Sequence, residues 1–119
     1  MWAGELILRL KEQPGYGDIE LVVVLPFEGH DSKWDERSKR RMDFLLRMCS
    51  DCVVIGKEDC RENYIKRNCY MVDHADYLVA VYDNERNLRS GTMQTVRYAQ
   101  NKGITISFVN PDTATVTTN

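Results

Sequence analysis

Nowhere does the chain hold an apolar run near the ~20 residues that a bilayer span requires. Its first residues also lack the charged, apolar and small-residue succession of an export signal. A cytoplasmic setting with no membrane partner is therefore expected. Histidine is confined to His30 and His74. Of the four cysteines, Cys49, Cys52, Cys60 and Cys69, the first two form a Cys-x-x-Cys, but no second pair of that spacing and no histidine pair follows. A four-ligand zinc site needs such partners, so no metal is expected, and the thiols are expected to be buried at a helix-to-strand junction, unpaired in a reducing compartment. An excess of positive charge is lacking too: sixteen Lys and Arg stand against eighteen Asp and Glu, for a net charge of -2 and a pI near 5.7. That balance argues against nucleic acid as the main partner, although Lys39, Arg40 and Arg41 offer one local basic run to a single strand. Repeats and low-complexity blocks are absent, and 43% hydrophobic with 29% charged residues is an ordinary globular composition. At 119 residues the chain is expected to form one domain over residues 1–110, with a Thr-rich tail, 111–119, loosely attached.

What is present is organised around Asp76 to Ala99. A short β-rich run, Asp76-Tyr-Leu-Val-Ala-Val-Tyr-Asp83, is followed by a polar loop and then by Ser90-Gly91-Thr92, which opens a segment with Val96, Tyr98 and Ala99 at helical spacing. Strand, loop, helix is the order of a phosphate cradle. The first helical turn has amide N–H groups without intrahelical partners and the positive end of the helix dipole, and an anion satisfies both. Gly91 removes the Cβ that would hold a phosphate away, Thr92 adds a hydroxyl, Ser90 caps, and Arg89 supplies a guanidinium. Taken alone, the same residues also describe a plain helix start.

Along the chain, Trp2, Leu6, Ile7 and Leu10 predict an amphipathic first helix, ended by Pro14-Gly15. Ile19 to Leu25 predict a Val-rich strand terminated by Pro26. The loop Pro26–Asp31 then lies at a strand's carboxyl end, where open α/β sheets place ligands. Ser32 is the expected cap of a helix with Trp34, Met42, Leu45, Leu46 and Met48 inward. A strand over Cys52–Ile55, a helix from Asp59 carrying Tyr64, Ile65, Asn68, Met71 and Val72, the Asp76 strand, the Gly91 helix closed by Lys102-Gly103, and a strand over Ile104–Val109 complete the alternation. The expected fold class is α/β, a Rossmann-like three-layer sandwich with a small parallel sheet of about four strands. A chain that opens on a helix leaves an apolar edge exposed or covers it by self-association.

Four blocks in order then carry a resemblance: Leu25-Pro-Phe-Glu-Gly29 with Trp34; Arg67-Asn-Cys-Tyr-Met-Val-Asp73; Val81-Tyr-Asp83; and Ser90-Gly-Thr-Met-Gln-Thr-Val-Arg-Tyr-Ala99. Together they resemble the YpsA-like branch of the SLOG superfamily, which also holds the DprA and lonely-guy proteins, over nearly the whole chain to Pro111. The resemblance implies a Rossmann-like domain that binds nucleotides or nucleotide-derived ligands. Family members have an upstream first strand and glycine loop that this sequence lacks, so part of the usual pocket is expected to be missing or supplied by a neighbouring protomer. Lonely-guy enzymes use an Arg-Lys-x-x-Met segment and a Gly-Gly-x-Gly-Thr-x-x-Glu loop. Arg67 matches the arginine, while Thr95 stands where the glutamate would be. Cleaving an N-glycosidic bond needs a carboxylate, and only Glu28 or Asp73 is a candidate substitute.

The expected ligand-binding residues are therefore Arg67, Asn68, Arg89, Ser90, Gly91, Thr92, Phe27 and Glu28, with no catalytic residue and no cofactor assigned. Phe27 and Trp34 have rings that stack on a base or fill a core, and Glu28 has a carboxylate for ribose hydroxyls. Asp73 with His74 reads either as an acid/base pair or as a helix terminus. Three functions stay open: non-catalytic binding of a nucleotide-like small molecule, hydrolysis of nucleoside monophosphates, and a shortened interaction or inhibitor protein of mobile-element origin on the same scaffold.

Overall fold

The computed structural model describes residues 2–81, 91–110 and 112–118. The chain divides into two compact units, Met1–Asn63 and Tyr64–Asn119. The architecture is α/β and Rossmann-like, with helices alternating with strands and parallel strand pairs. Among the described residues the parallel strands form two pairs in separate sheets, rather than one sheet of four. No helix among those residues is long and apolar enough to cross a membrane.

In the first unit, α1 (Trp2–Lys11) precedes β1 (Val22–Phe27), α2 (Glu36–Met48) and β2 (Asp51–Gly56). β1 and β2 run parallel, with Val22 opposite Asp51 and Phe27 opposite Gly56. Pro26 does not terminate the strand. It lies inside β1 and is fully buried, a position open to proline because, among the described residues, β1 borders a single strand and one side needs no ladder N–H. The α2 cap is Asp35 rather than Ser32. The Asp35 carboxylate accepts from the Ser38 amide at 3.3 Å, and Ser32 sits in the preceding turns. An ionised oxygen at the cap also suits the helix dipole. Met42 and Leu45 of α2 are buried as their spacing predicts, whereas Met48 is 53% exposed. α1 can approach α2 closely because a Cβ on Gly4 would already stand 3.1 Å from Leu45 Cδ1.

In the second unit, α3 (Arg61–Asp73), which begins just before the boundary, leads to β3 (Tyr77–Val81), α4 (Gly91–Asn101), β4 (Thr105–Val109) and β5 (Val116–Thr118). β3 and β4 are parallel, with Tyr77 opposite Thr105 and Val81 opposite Val109. Their inward residues, Ala80 and Ile106, pack with Val72 of α3 and with Val96 and Ala99 of α4 into one buried cluster. α4 closes at Gly103, whose φ of +76° lets the Ile104 amide turn back to the Ala99 carbonyl at 3.2 Å.

The Thr-rich tail contributes more than a loose end. Asn110 Oδ1 accepts from the amides of Asp112 and Thr113 at 2.9 and 3.3 Å, and the chain reverses so that β5 runs antiparallel to β4. This turn forms because an Asn side chain mimics a backbone acceptor. β5 supplies the Thr118 hydroxyl, 3.0 Å from Ser107 Oγ. Ser107 also bonds the Tyr77 hydroxyl, which accounts for a buried polar group in mid-sheet. Among the described residues β3 pairs with β4 alone, and Tyr77, Val79 and Val81 are 50%, 61% and 46% exposed.

Candidate functional site

The second unit carries a cleft of about 460 Å³ between α3, the carboxyl half of β3 and the first turns of α4. That volume lies in the range of small-molecule sites. Met71, Val72, Leu78, Ala80 and Val96 make its floor apolar, while Arg67, Asn68, Thr92 and Thr95 bring polar groups to its walls. Helical spacing explains the α3 wall, since Arg67, Asn68, Met71 and Val72 fall on one face. The short β3 run ends at Val81, so the cleft opens where a parallel strand hands over to a helix, as the strand, loop, helix order predicts.

Arg67 dominates the electrostatics. It is half-buried, its Nε donates to Asn68 Oδ1 at 2.8 Å, and its Cζ stands 5.7 Å from the centroid of the Tyr64 ring. Burial lowers its pKa from the ordinary arginine value, with Tyr64 acting in the opposite direction. The group stays protonated at any ordinary pH. No carboxylate lies among the described residues that line the cleft. A buried positive charge without an acid beside it costs free energy, and an incoming anion relieves that cost.

Of the eight expected binding residues, the cleft gathers Arg67, Asn68 and Thr92. Gly91 is the first residue of α4, next to Thr92. Arg89 and Ser90 lie outside the described residues, as does the Tyr82-Asp83 part of the third motif. Phe27 and Glu28 belong to the first unit. Phe27 is 7% exposed at the end of β1, edge-on to His30 at 6.5 Å, and His30 in turn meets Trp34 at 5.1 Å. Glu28 is exposed beside a smaller depression of about 350 Å³, which also involves Gly56 and Lys57 at the end of β2.

One contributor, Tyr64, was not singled out from the sequence as a site residue. Tyr64 precedes Arg67 by three residues, a spacing that a helix turns into side-chain contact. Asp73 is engaged rather than available: it accepts from Tyr98 Oη at 2.7 Å and pairs with Lys102 at 2.5 Å, which ties the end of α3 to the end of α4. Those two partners hold its carboxyl below the usual range, Lys102 first. His74 stacks on Tyr70 at 4.1 Å between ring centroids and bonds the Tyr70 carbonyl through Nδ1 at 2.8 Å. Cys49 caps α2, its Sγ 3.2 Å from the Leu46 carbonyl, and it is only partly buried; Cys52 is not buried as expected but is an exposed free thiol, because it sits at the start of β2, and partial desolvation with the neighbouring Cys49 and Asp51 raises its pKa.

Comparison with known proteins agrees with the motif reading. A UPF0398 protein of Staphylococcus epidermidis is 25% identical over 88 residues, which is 72% of this chain and 46% of the relative. UPF0398 proteins of Bacillus cereus and Bacillus thuringiensis are 27% identical over 88 residues, again 72% of this chain and 47% of theirs. The chain thus spans about half the length of the curated relatives it matches. The YpsA family model, described as the YspA SLOG family, matches residues 1–114, and the chain belongs to that family.

Proposed function

We propose that the cleft binds a nucleotide or nucleotide-derived ligand at the carboxyl end of β3, through its phosphate and without turning it over. The observation that carries this reading is the half-buried Arg67 guanidinium, which faces a cleft with no acidic group among its described lining residues. Thr92 at the head of α4 adds a hydroxyl, and the apolar floor suits the less polar face of a base or sugar. A charge-assisted hydrogen bond contributes roughly 1.5–3 kcal/mol, so a phosphorylated nucleoside is expected to bind roughly ten- to a hundredfold more tightly than the bare nucleoside. Turnover is disfavoured because Thr95, which lines the cleft, stands where the resemblance to the lonely-guy loop would put the glutamate, and Asp73 is committed to Tyr98 and Lys102.

The test is a thermal-shift panel of nucleoside 5′-monophosphates and nucleosides, paired with chromatography for released base. Stabilisation by monophosphates, its loss in Arg67→Ala, and the absence of free base are expected. Release of base would replace this reading with a hydrolase. Identical melting curves across the panel would remove the binding reading.

A further inference from the structure

The contacts of Arg67 are arranged in an unusual way for a half-buried cation. Its Nε is held by a neutral amide oxygen, Asn68 Oδ1, at 2.8 Å, and its Cζ stands over the Tyr64 ring, 5.7 Å from the centroid. Among the described residues, neither terminal nitrogen has a hydrogen-bond partner. A carboxylate at the Asn68 position would orient the same fork but would also cancel its charge. An amide orients it and leaves the charge in place. The ring attracts a cation through its quadrupole without carrying net charge, so it too fixes the group and does not neutralise it. A guanidinium whose Nε side is engaged still presents its two terminal N–H groups together, a geometry that fits two oxygens of one phosphate.

We propose that Asn68 and Tyr64 are positioning residues that aim the terminal edge of Arg67 into the cleft while preserving its full charge, so that the site selects a phosphate monoester over its uncharged parent. This rests on the nucleotide-binding reading given above. Asn68 acts through Arg67 rather than by reading a base.

Calorimetric titration with adenosine and guanosine 5′-monophosphate, inorganic phosphate and the two nucleosides tests it on the wild type, Asn68→Ala, Asn68→Asp, Tyr64→Leu and Tyr64→Phe. Asn68→Ala and Tyr64→Leu are expected to weaken monophosphate binding roughly three- to tenfold. Residual nucleoside affinity should stay the same, and Tyr64→Phe, which keeps the ring, should bind as the wild type does. Asn68→Asp is expected to lose monophosphate binding more than tenfold and yet melt at a higher temperature without ligand, because it pairs the buried charge. That opposition of binding and stability is not expected of a residue with only a packing role. Wild-type affinity in both Asn68 variants overturns the positioning role and leaves nucleotide binding standing. A wild type that binds none of the probes overturns both. If Asn68→Ala fails to fold, Asn68→Asp against Tyr64→Phe decides the matter alone.

Discussion

Each unit of the chain contains a partly buried arginine, and the two are treated in opposite ways. In the first unit Arg41 reaches across from α2 to Glu5 of α1, with Nε at 3.2 Å from one carboxylate oxygen and a terminal nitrogen on the other. Glu5 holds the Arg41 pKa up, and Arg41 holds the Glu5 carboxyl down. In the second unit Arg67 meets an amide and an aromatic ring, and burial lowers its pKa. The first arrangement closes an ion pair and joins two helices. In the second, no carboxylate stands beside the cation among the described residues of the cleft, an arrangement that is costly unless an anion is supplied. The contrast extends to two asparagines of α3. Asn63 donates its Nδ2 to the Glu58 carbonyl at 2.7 Å and fixes a backbone turn, whereas Asn68 fixes a side chain that faces a cleft.

The largest effect is expected from removing the support of the Arg67 cleft. Ile106 of β4 is fully buried in the cluster with Ala80 and Val96, so Ile106→Ala should lower stability by about 2–5 kcal/mol, read as a shift in the urea midpoint. Next comes Arg67→Ala. It should reduce monophosphate affinity ten- to a hundredfold and leave the melting temperature unchanged or slightly raised. Arg41→Ala should do the reverse, with lower stability and unaltered affinity, so measuring both variants side by side breaks the comparison if they behave alike.

Gly56→Ala sharpens the contrast between the asparagines. The added Cβ would fall 2.4 Å from the Asn63 amide, displacing it from the Glu58 carbonyl, and a loss of about 1–3 kcal/mol without any change in ligand affinity is expected by the same two assays.

The smallest effect is that of pH. Glu5 and Asp73 both have carboxyl groups held below the unfolded range, so the stability they add is present above that range and fades as pH falls through it. Asp73→Asn should flatten the acid limb of a melting-temperature profile slightly, with Arg67 contributing nothing there because it stays charged throughout.

Much of this arrangement was legible in the sequence, and for identifiable reasons. Helical spacing placed Met42 and Leu45 in the core. The order of strand, loop and helix placed the cleft at the end of β3, and the motif containing Arg67 and Asn68 marked its α3 wall. What escaped was set by contacts rather than pattern. Pro26 reads as a terminator until β1 is seen to border one strand. Asp35 takes the cap that Ser32 offered because the helix starts later. β5 has no apolar alternation, since its three residues are exposed and its place depends on the Asn110 turn and the hydroxyls of Ser107 and Thr118. Tyr64 looked like one more residue of a helical stripe, and only its position over the guanidinium distinguishes it.

The most direct measurement follows the Arg67 Nε–Hε resonance by 15N NMR during titration with a nucleoside 5′-monophosphate. A saturable shift of that signal, absent with the unphosphorylated nucleoside and with Arg41 unaffected, is the predicted result. An Arg67 signal that stays in place while the monophosphate binds elsewhere, or that moves equally with the nucleoside, would contradict the account.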